Sequence, residues 1–162
     1  MPLSVPDPQL RRMARISMSI RCGLLAAGLL MFHHNARACW AEVAAWYGVN
    51  PQLLYAIAKT ESSLNPNAMN RNKNGSYDIG LMQINSSWLP TLRKYGIDEQ
   101  RLKDPCTNLQ VGAWILSQNM QRMGVTWEAV GAYNARDPGL RIKYAKKVYK
   151  NIPPAMLAQS NQ

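Results

Sequence analysis

From Trp40 onward the apolar positions recur at helical spacing. Trp40, Val43, Ala44 and Tyr47 fall at i, i+3, i+4 and i+7, which predicts an amphipathic helix ending near Gly48. Asn50-Pro51 then reads as an N-cap followed by proline at the first helical position. The second helix carries Leu53, Leu54, Ile57 and Ala58 and stops before Asn65-Pro66. Residues 66–79 are a long polar loop with Asn67, Asn70, Asn72 and Asn74, with room for a hairpin turn at Lys73-Asn74-Gly75-Ser76. Residues 80–85 are too short to assign by period. Ser86 or Ser87 can cap a helix through Trp88, Leu89 and Leu92 to Tyr95-Gly96, and Asp98 can cap a further turn. Asp104-Pro105 opens the longest helix, with Cys106, Leu109, Ala113, Leu116 and Met120 on one stripe and Gly124 as its stop. Thr126 caps a short helix through Trp127 and Val130, and a last helix runs from about Gly139 to Lys150. The expected fold is all-α, with at most a small hairpin near 73–78.

The first 38 residues do not share this pattern. Arg11, Arg12, Arg15 and Arg21 precede the apolar run Cys22–Phe32, which at 11 residues is shorter than the roughly 20 a bilayer core needs. Ala36-Arg37-Ala38 follows as a small-x-small cleavage signature. Residues 1–38 therefore read as a secretory signal peptide, residues 39–152 as one domain and residues 153–162 as a loose tail. The expected location is the periplasm, with membrane contact only through an uncleaved leader. A charge inside Ala36-Arg37-Ala38 argues against lipidation of Cys39.

Cleavage changes the composition. The formal charge falls from +10 to +6 with the loss of five arginines and Asp7. Both histidines, His33 and His34, leave with the leader, so nucleophilic triads built on histidine and most zinc sites are excluded. No metal or cofactor is expected; the chemistry must run on carboxylates, hydroxyls, amides and lysines. Cys39 and Cys106 remain, either as a disulfide in an oxidising compartment or as two separate buried thiols.

Glu61 is the informative acid. It lies four residues after Ile57, seven after Leu54 and eight after Leu53, on the stripe that faces the core. Burial there raises a carboxyl's pKa and lets it hold a proton near neutrality, as a general acid must. The alternative is a glutamate at a helix end that reaches water or pairs with Lys59.

Three segments in order carry more information: Glu61-Ser62, Gly80-Leu81-Met82-Gln83-Ile84 and Ala132-Tyr133-Asn134. Together, after a signal peptide, they resemble the catalytic domain of the soluble-type lytic transglycosylases, a lysozyme-like family. The closer likeness is to small members that accompany type III and type IV secretion, conjugation and pilus machines, which also tend to pair cysteines at positions matching Cys39 and Cys106. The resemblance implies a lysozyme-like helical domain that cleaves the β-1,4 bond between N-acetylmuramic acid and N-acetylglucosamine and leaves a 1,6-anhydro end. It makes Glu61 the sole catalytic acid and base. It places Tyr133 beside Glu61, bonded to it or to substrate, and Gln83 and Asn85 as amide contacts to sugar N-acetyl groups, with capping of a tight turn as the other reading of Asn85 just before Ser86. Met82 would floor the cleft, Asn70 and Asn134 would contact substrate, and Ser62 would bond backbone or Asn134. Trp88 and Trp127 are candidates for sugar stacking or core.

The chain also departs from the family pattern. Asn70 stands where serine is common, Ala135-Arg136 stands where Ala-Gly is usual, and Leu140 occupies the position of an acid four residues before Tyr144. Asp78 and Asp137 are read as polar neighbours of the cleft without a catalytic role. Lys143, Lys146, Lys147 and Lys150 form a basic stripe on the last helix, either simply solvated or attracted to anionic wall or a partner protein. Nucleic-acid binding is not expected, and the chain is expected to act as a monomer on peptidoglycan strands, with components of an envelope machine as further partners. The rival readings are a lysozyme-type hydrolase of the same fold and a non-catalytic wall-binding assembly factor.

Overall fold

The computed structural model describes residues 36–154. Most of the expected signal peptide and of the expected tail lie outside the described residues. Seven α-helices are found among those residues: α1 (Ala36–Tyr47), α2 (Pro51–Ser62), α3 (Leu89–Arg93), α4 (Glu99–Leu102), α5 (Pro105–Met123), α6 (Trp127–Gly131) and α7 (Pro138–Lys150). None is long and apolar enough to cross a membrane. α1 begins before Trp40, so the expected cleavage point ahead of Cys39 falls within a helix.

α5 is the axis of the domain. Its residues from Asn108 to Ser117 are buried except Gln110, and α1, α4 and α6 pack on it. α2 packs on α1 and α7, and Leu54, Ile57, Leu109, Val111 and Leu116 have almost no exposed surface. Local chemistry sets the helix ends. Asn50, Asp98, Asp104 and Thr126 each accept a backbone N–H at an N-cap, as expected from their positions. Asp137 does the same for α7, taking Leu140 N–H at 2.9 Å. It is therefore a cap rather than a neighbour of the cleft.

The polar loop at 66–79 is more ordered than its composition suggests. It forms β1 (Met69–Arg71) and β2 (Tyr77–Ile79), and β3 (Ile84–Asn85) completes a three-stranded antiparallel sheet in the order β1-β2-β3. The register pairs Asn70 with Asp78, and Asp78 with Asn85. Ile79 and Ile84 pair across β2 and β3 and are buried, which fixes the register through the apolar face. The helix expected over 86–95 is broken. A 3₁₀ turn, Ser86–Trp88, leads into α3, and the cap is Asn85, whose Oδ1 takes Ser87 N–H at 3.0 Å.

Cys39 and Cys106 are bonded as a disulfide, with Cα atoms 6.0 Å apart, which joins α1 to the first turn of α5. On α7, Tyr144, Ala145 and Val148 are buried while Lys143, Lys146, Lys147 and Lys150 are exposed. Trp127 is 44% exposed and edge-on to Tyr149 at 5.4 Å, so it is not a core residue.

Candidate active site

Glu61 occupies the last turn of α2, above the buried Leu54, Ile57 and Ala58. The helix ends abruptly beyond it. Ser63 (φ 54°) and Leu64 (φ 67°) are both left-handed, a conformation that costs a non-glycine residue about 1–3 kcal/mol. Their N–H groups return to Lys59 O and Ala58 O, closing the helix end. The Ser62 hydroxyl lies 2.7 Å from Leu81 O and 3.2 Å from Ala58 O. Ser62 thus ties the Glu61 helix to the Gly80–Gln83 turn and has no bond to Asn134.

That turn is held from below by Asn108 of α5. Its buried amide donates to Ile79 O (2.9 Å) and Leu102 O (2.8 Å) and accepts Met82 N–H (2.7 Å). Gly80 is required twice over. Its φ is +75°, and a Cβ there would meet the Asn108 amide at 2.5 Å. The Met82 side chain is fully buried against Gly112, where a Cβ would lie 2.7 Å from it. Met82 therefore does not floor the cleft, because the turn directs it into the space above a glycine of α5. Gln83 has φ 49°. Its Nε2 donates to Gly80 O (2.8 Å) and Ala68 O (3.2 Å), and its Oε1 accepts Asn70 Nδ2 (2.7 Å). Asn70 thus orients the Gln83 amide from the exposed strand β1.

The hydrogen bond to Glu61 comes from α7. Tyr144 donates its hydroxyl to Glu61 Oε1. Tyr133, expected to bond Glu61 or substrate, has no bond to Glu61; it donates to Met82 O at 2.9 Å, and its ring stacks on Tyr144 with centroids 6.4 Å apart. The reason is position: Tyr133 leaves the end of α6 facing the Gly80–Gln83 turn, whereas α7 packs directly on α2. Burial pushes both phenols well above their ordinary range, and the nearby Glu61 charge adds to this, so both stay protonated donors. In the sequence Tyr144 stands out only as the tyrosine of the family's last-helix pattern, with nothing to link it to Glu61.

Glu61 itself is raised from 4.5 to about 7. Desolvation is the main cause; the Tyr144 bond lowers the pKa, Asp78 raises it and Lys147 lowers it. Asp78 is held by two amides, with Oδ1 taking Asn85 Nδ2 at 2.7 Å and Oδ2 taking Asn72 Nδ2 at 3.0 Å. Asn85 is therefore committed at both ends of its amide, to Asp78 and to Ser87.

These groups meet on a cleft of about 1030 Å³ whose wall includes Glu61, Asp78, Gln83, Asn85, Tyr133 and Asn134. Trp88 also reaches it, with its ring edge-on to Trp114 at 5.3 Å. Ser62, Asn70, Met82 and Tyr144 do not line the cleft. No group of three His, Cys, Asp or Glu able to hold a metal occurs among the described residues. The arrangement offers one carboxyl that exchanges a proton near neutrality, a fixed second carboxylate, and a polar trough around them.

Residues 38–152 match the Transglycosylase SLT domain family. The invasion protein IagB of Salmonella typhimurium is 48% identical over 118 residues, which cover 70% of this chain and 74% of that protein. Protein IpgF of Shigella flexneri is 41% identical over 128 residues, covering 75% and 84%. A peptidoglycan-binding-like protein of Escherichia coli O157:H7 is 40% identical over 124 residues, covering 69% and 74%. Among solved structures, an inactive Glu-to-Gln mutant of the lytic transglycosylase Slt from Pseudomonas aeruginosa superposes with a TM-score of 0.58 at 26% identity. The match covers 75% of this chain and 24% of that longer one.

Proposed function

The chain belongs to the Transglycosylase SLT family and is a peptidoglycan lytic transglycosylase of lysozyme-like fold, and from that premise we propose that Glu61 performs both proton transfers of a non-hydrolytic glycan cleavage. Protonated Glu61 gives its proton to the oxygen of the β-1,4 bond between N-acetylmuramic acid and N-acetylglucosamine. The C1–O bond of the muramyl residue breaks, and the 2-acetamido group stabilises the cation. Glu61, now a carboxylate, removes the proton of the muramyl 6-hydroxyl as that oxygen bonds C1. The products are a free 4-hydroxyl and a 1,6-anhydro end; Glu61 is protonated again and no water is consumed.

The observation that carries this reading is a half-buried carboxyl with a pKa near 7 on the wall of a polar cleft. A pKa near the working pH lets one group act as acid and then as base. Tyr144 fixes Oε1, which leaves Oε2 to face the sugar. Gln83, Asn134 and Tyr133 supply the surrounding polar wall. The structural neighbour described as an inactive Glu-to-Gln mutant supports the same choice of group.

A second reading, hydrolysis, is favoured by Asp78, a second carboxylate on the same wall. Mass spectrometry of products released from purified sacculi separates the two. Anhydro ends are one water lighter than hydrolysed ends, and the proposal expects the lighter set. The export reading of residues 1–38 and the likeness to a protein named for invasion support a periplasmic enzyme that opens the wall locally for a secretion, conjugation or pilus apparatus.

A further inference from the structure

One surface of α7 serves neither the core nor the cleft. Tyr144, Ala145 and Val148 take the inner side of the helix. On its outer side Ile142, Lys146 and Tyr149 are spaced four and three apart and so share one stripe. Lys143 and Lys150, seven apart, lie on the stripe beside it. The Tyr149 ring meets Trp127 edge-on at 5.4 Å, which carries this surface from α7 onto α6. Ile142 is 59% exposed, Tyr149 49% and Trp127 44%. None of these residues lines the cleft.

A helix face that is only solvated needs charge but no large apolar side chains. Here an aromatic pair and an isoleucine are exposed beside lysines. Single exposed apolar residues are ordinary, but Trp127 and Tyr149 touch, and Ile142 shares the Tyr149 stripe. α7 carries no acidic residue, and no carboxylate among the described residues forms an ion pair with Lys143, Lys146 or Lys150. The lysine charge is therefore left for an anionic partner.

The mixture of side chains selects among anionic partners. Wall peptides offer carboxylates to the lysines and wall sugars can stack on a ring, but neither covers Ile142. Protein interfaces favour arginine and are depleted in lysine, and the cations of this surface are lysines. A bilayer takes all three kinds of group. Tryptophan and tyrosine sit at headgroup level, aliphatic side chains enter the acyl boundary, and lysines meet anionic headgroups. We propose that Trp127, Ile142, Tyr149, Lys143, Lys146 and Lys150 dock the protein on an anionic phospholipid bilayer. Docking through this surface leaves the cleft free to take a glycan strand. The inference goes beyond the cleavage reaction and does not depend on it.

The test is flotation with lipid vesicles of the chain without residues 1–35, which keeps every described helix and the whole buried core. Their removal excludes the expected leader as the anchor. One set of vesicles is phosphatidylcholine alone, the other equimolar phosphatidylcholine and phosphatidylglycerol. Flotation is expected with the mixed vesicles only, and it is expected to weaken as salt screens the lysines. Lys146→Gln with Lys150→Gln is expected to lower binding roughly 25-fold, about fivefold for each lysine. Both side chains are exposed, so thermal unfolding is expected to stay unchanged. Lys147 is left in place because it acts on Glu61, and the variant is expected to digest sacculi at the parental rate. Brominated acyl chains are expected to quench tryptophan fluorescence on binding, and Trp127→Phe to lose that quenching. Trp46, exposed on α1, reports any unspecific contact. Absence of flotation with the mixed vesicles, flotation indifferent to the lysine pair, or quenching that survives Trp127→Phe overturns the proposal. Slower digestion of sacculi by the lysine variant with flotation intact assigns the surface to the wall and overturns it as well. Failure of the parent to release anhydro products would count against the cleavage reading and leave the flotation result standing.

Discussion

At the scale of single residues the decisive quantity is the proton affinity of Glu61. Its value near 7 is set by burial together with three neighbours, Tyr144, Asp78 and Lys147, and the two charged ones each give a prediction with a sign. The basic limb of kcat/KM is expected near pH 7. Asp78→Asn removes a raising charge and moves that limb to lower pH; Lys147→Gln removes a lowering charge and moves it to higher pH. Kinetic pH profiles of the two variants check this, and shifts in the same direction would contradict it. Stability follows the same linkage. A carboxyl raised on folding stabilises fully below its unfolded value of about 4.5, and this contribution is lost as pH rises through about 7. Glu61→Gln removes that dependence, so above pH 7 the variant is expected to be more stable than the parent, by an amount on the order of 3 kcal/mol. Urea unfolding at pH 4 and pH 8 measures it. Glu61 is legible in sequence because its spacing from Leu53, Leu54 and Ile57 is local. Tyr144 is not, because its bond to Glu61 joins residues 83 apart and leaves no periodic trace.

Among the elements, helices and their caps are legible where one side chain meets its own helix, as at Asn50, Asp98, Asp104 and Thr126. The sheet is not, because strands of three, three and two residues are too short to show alternation. The same brevity hid the internal use of the Gln83 amide, whereas the capping role of Asn85 is legible from its place just before Ser86. The Gly80–Gln83 turn depends on one buried amide, and Asn108→Ala would strip partners from two carbonyls and one N–H. That change is expected to cost about 2–4 kcal/mol and to lower turnover by displacing Gln83. Denaturant unfolding gives the first number and sacculus digestion the second; a neutral result for both would contradict the role assigned to the turn.

Across the whole molecule, two features join distant parts. The disulfide ties α1 to α5 across 67 residues of sequence. Opening it by Cys39→Ser with Cys106→Ser is expected to cost about 2–4 kcal/mol, read as a lower unfolding temperature, with activity retained at low temperature. On α7 Tyr144 is buried while Lys143, Lys146, Lys147 and Lys150 are exposed, so the same helix that bonds Glu61 presents charge to solvent, and Lys147, one turn from Tyr144, is near enough to act on Glu61. The cysteine count alone leaves the pairing of Cys39 with Cys106 open beside two separate thiols, because it says nothing of where α1 and α5 meet; the structure brings the two together.

The assignment of both proton transfers to Glu61 is tested most directly by comparing release of soluble fragments from purified sacculi by the parent enzyme and by Glu61→Gln. The substitution keeps shape and an acceptor for the Tyr144 hydroxyl but removes the transferable proton. A loss of about 10²- to 10⁴-fold in rate is predicted; release at the parental rate would contradict the account.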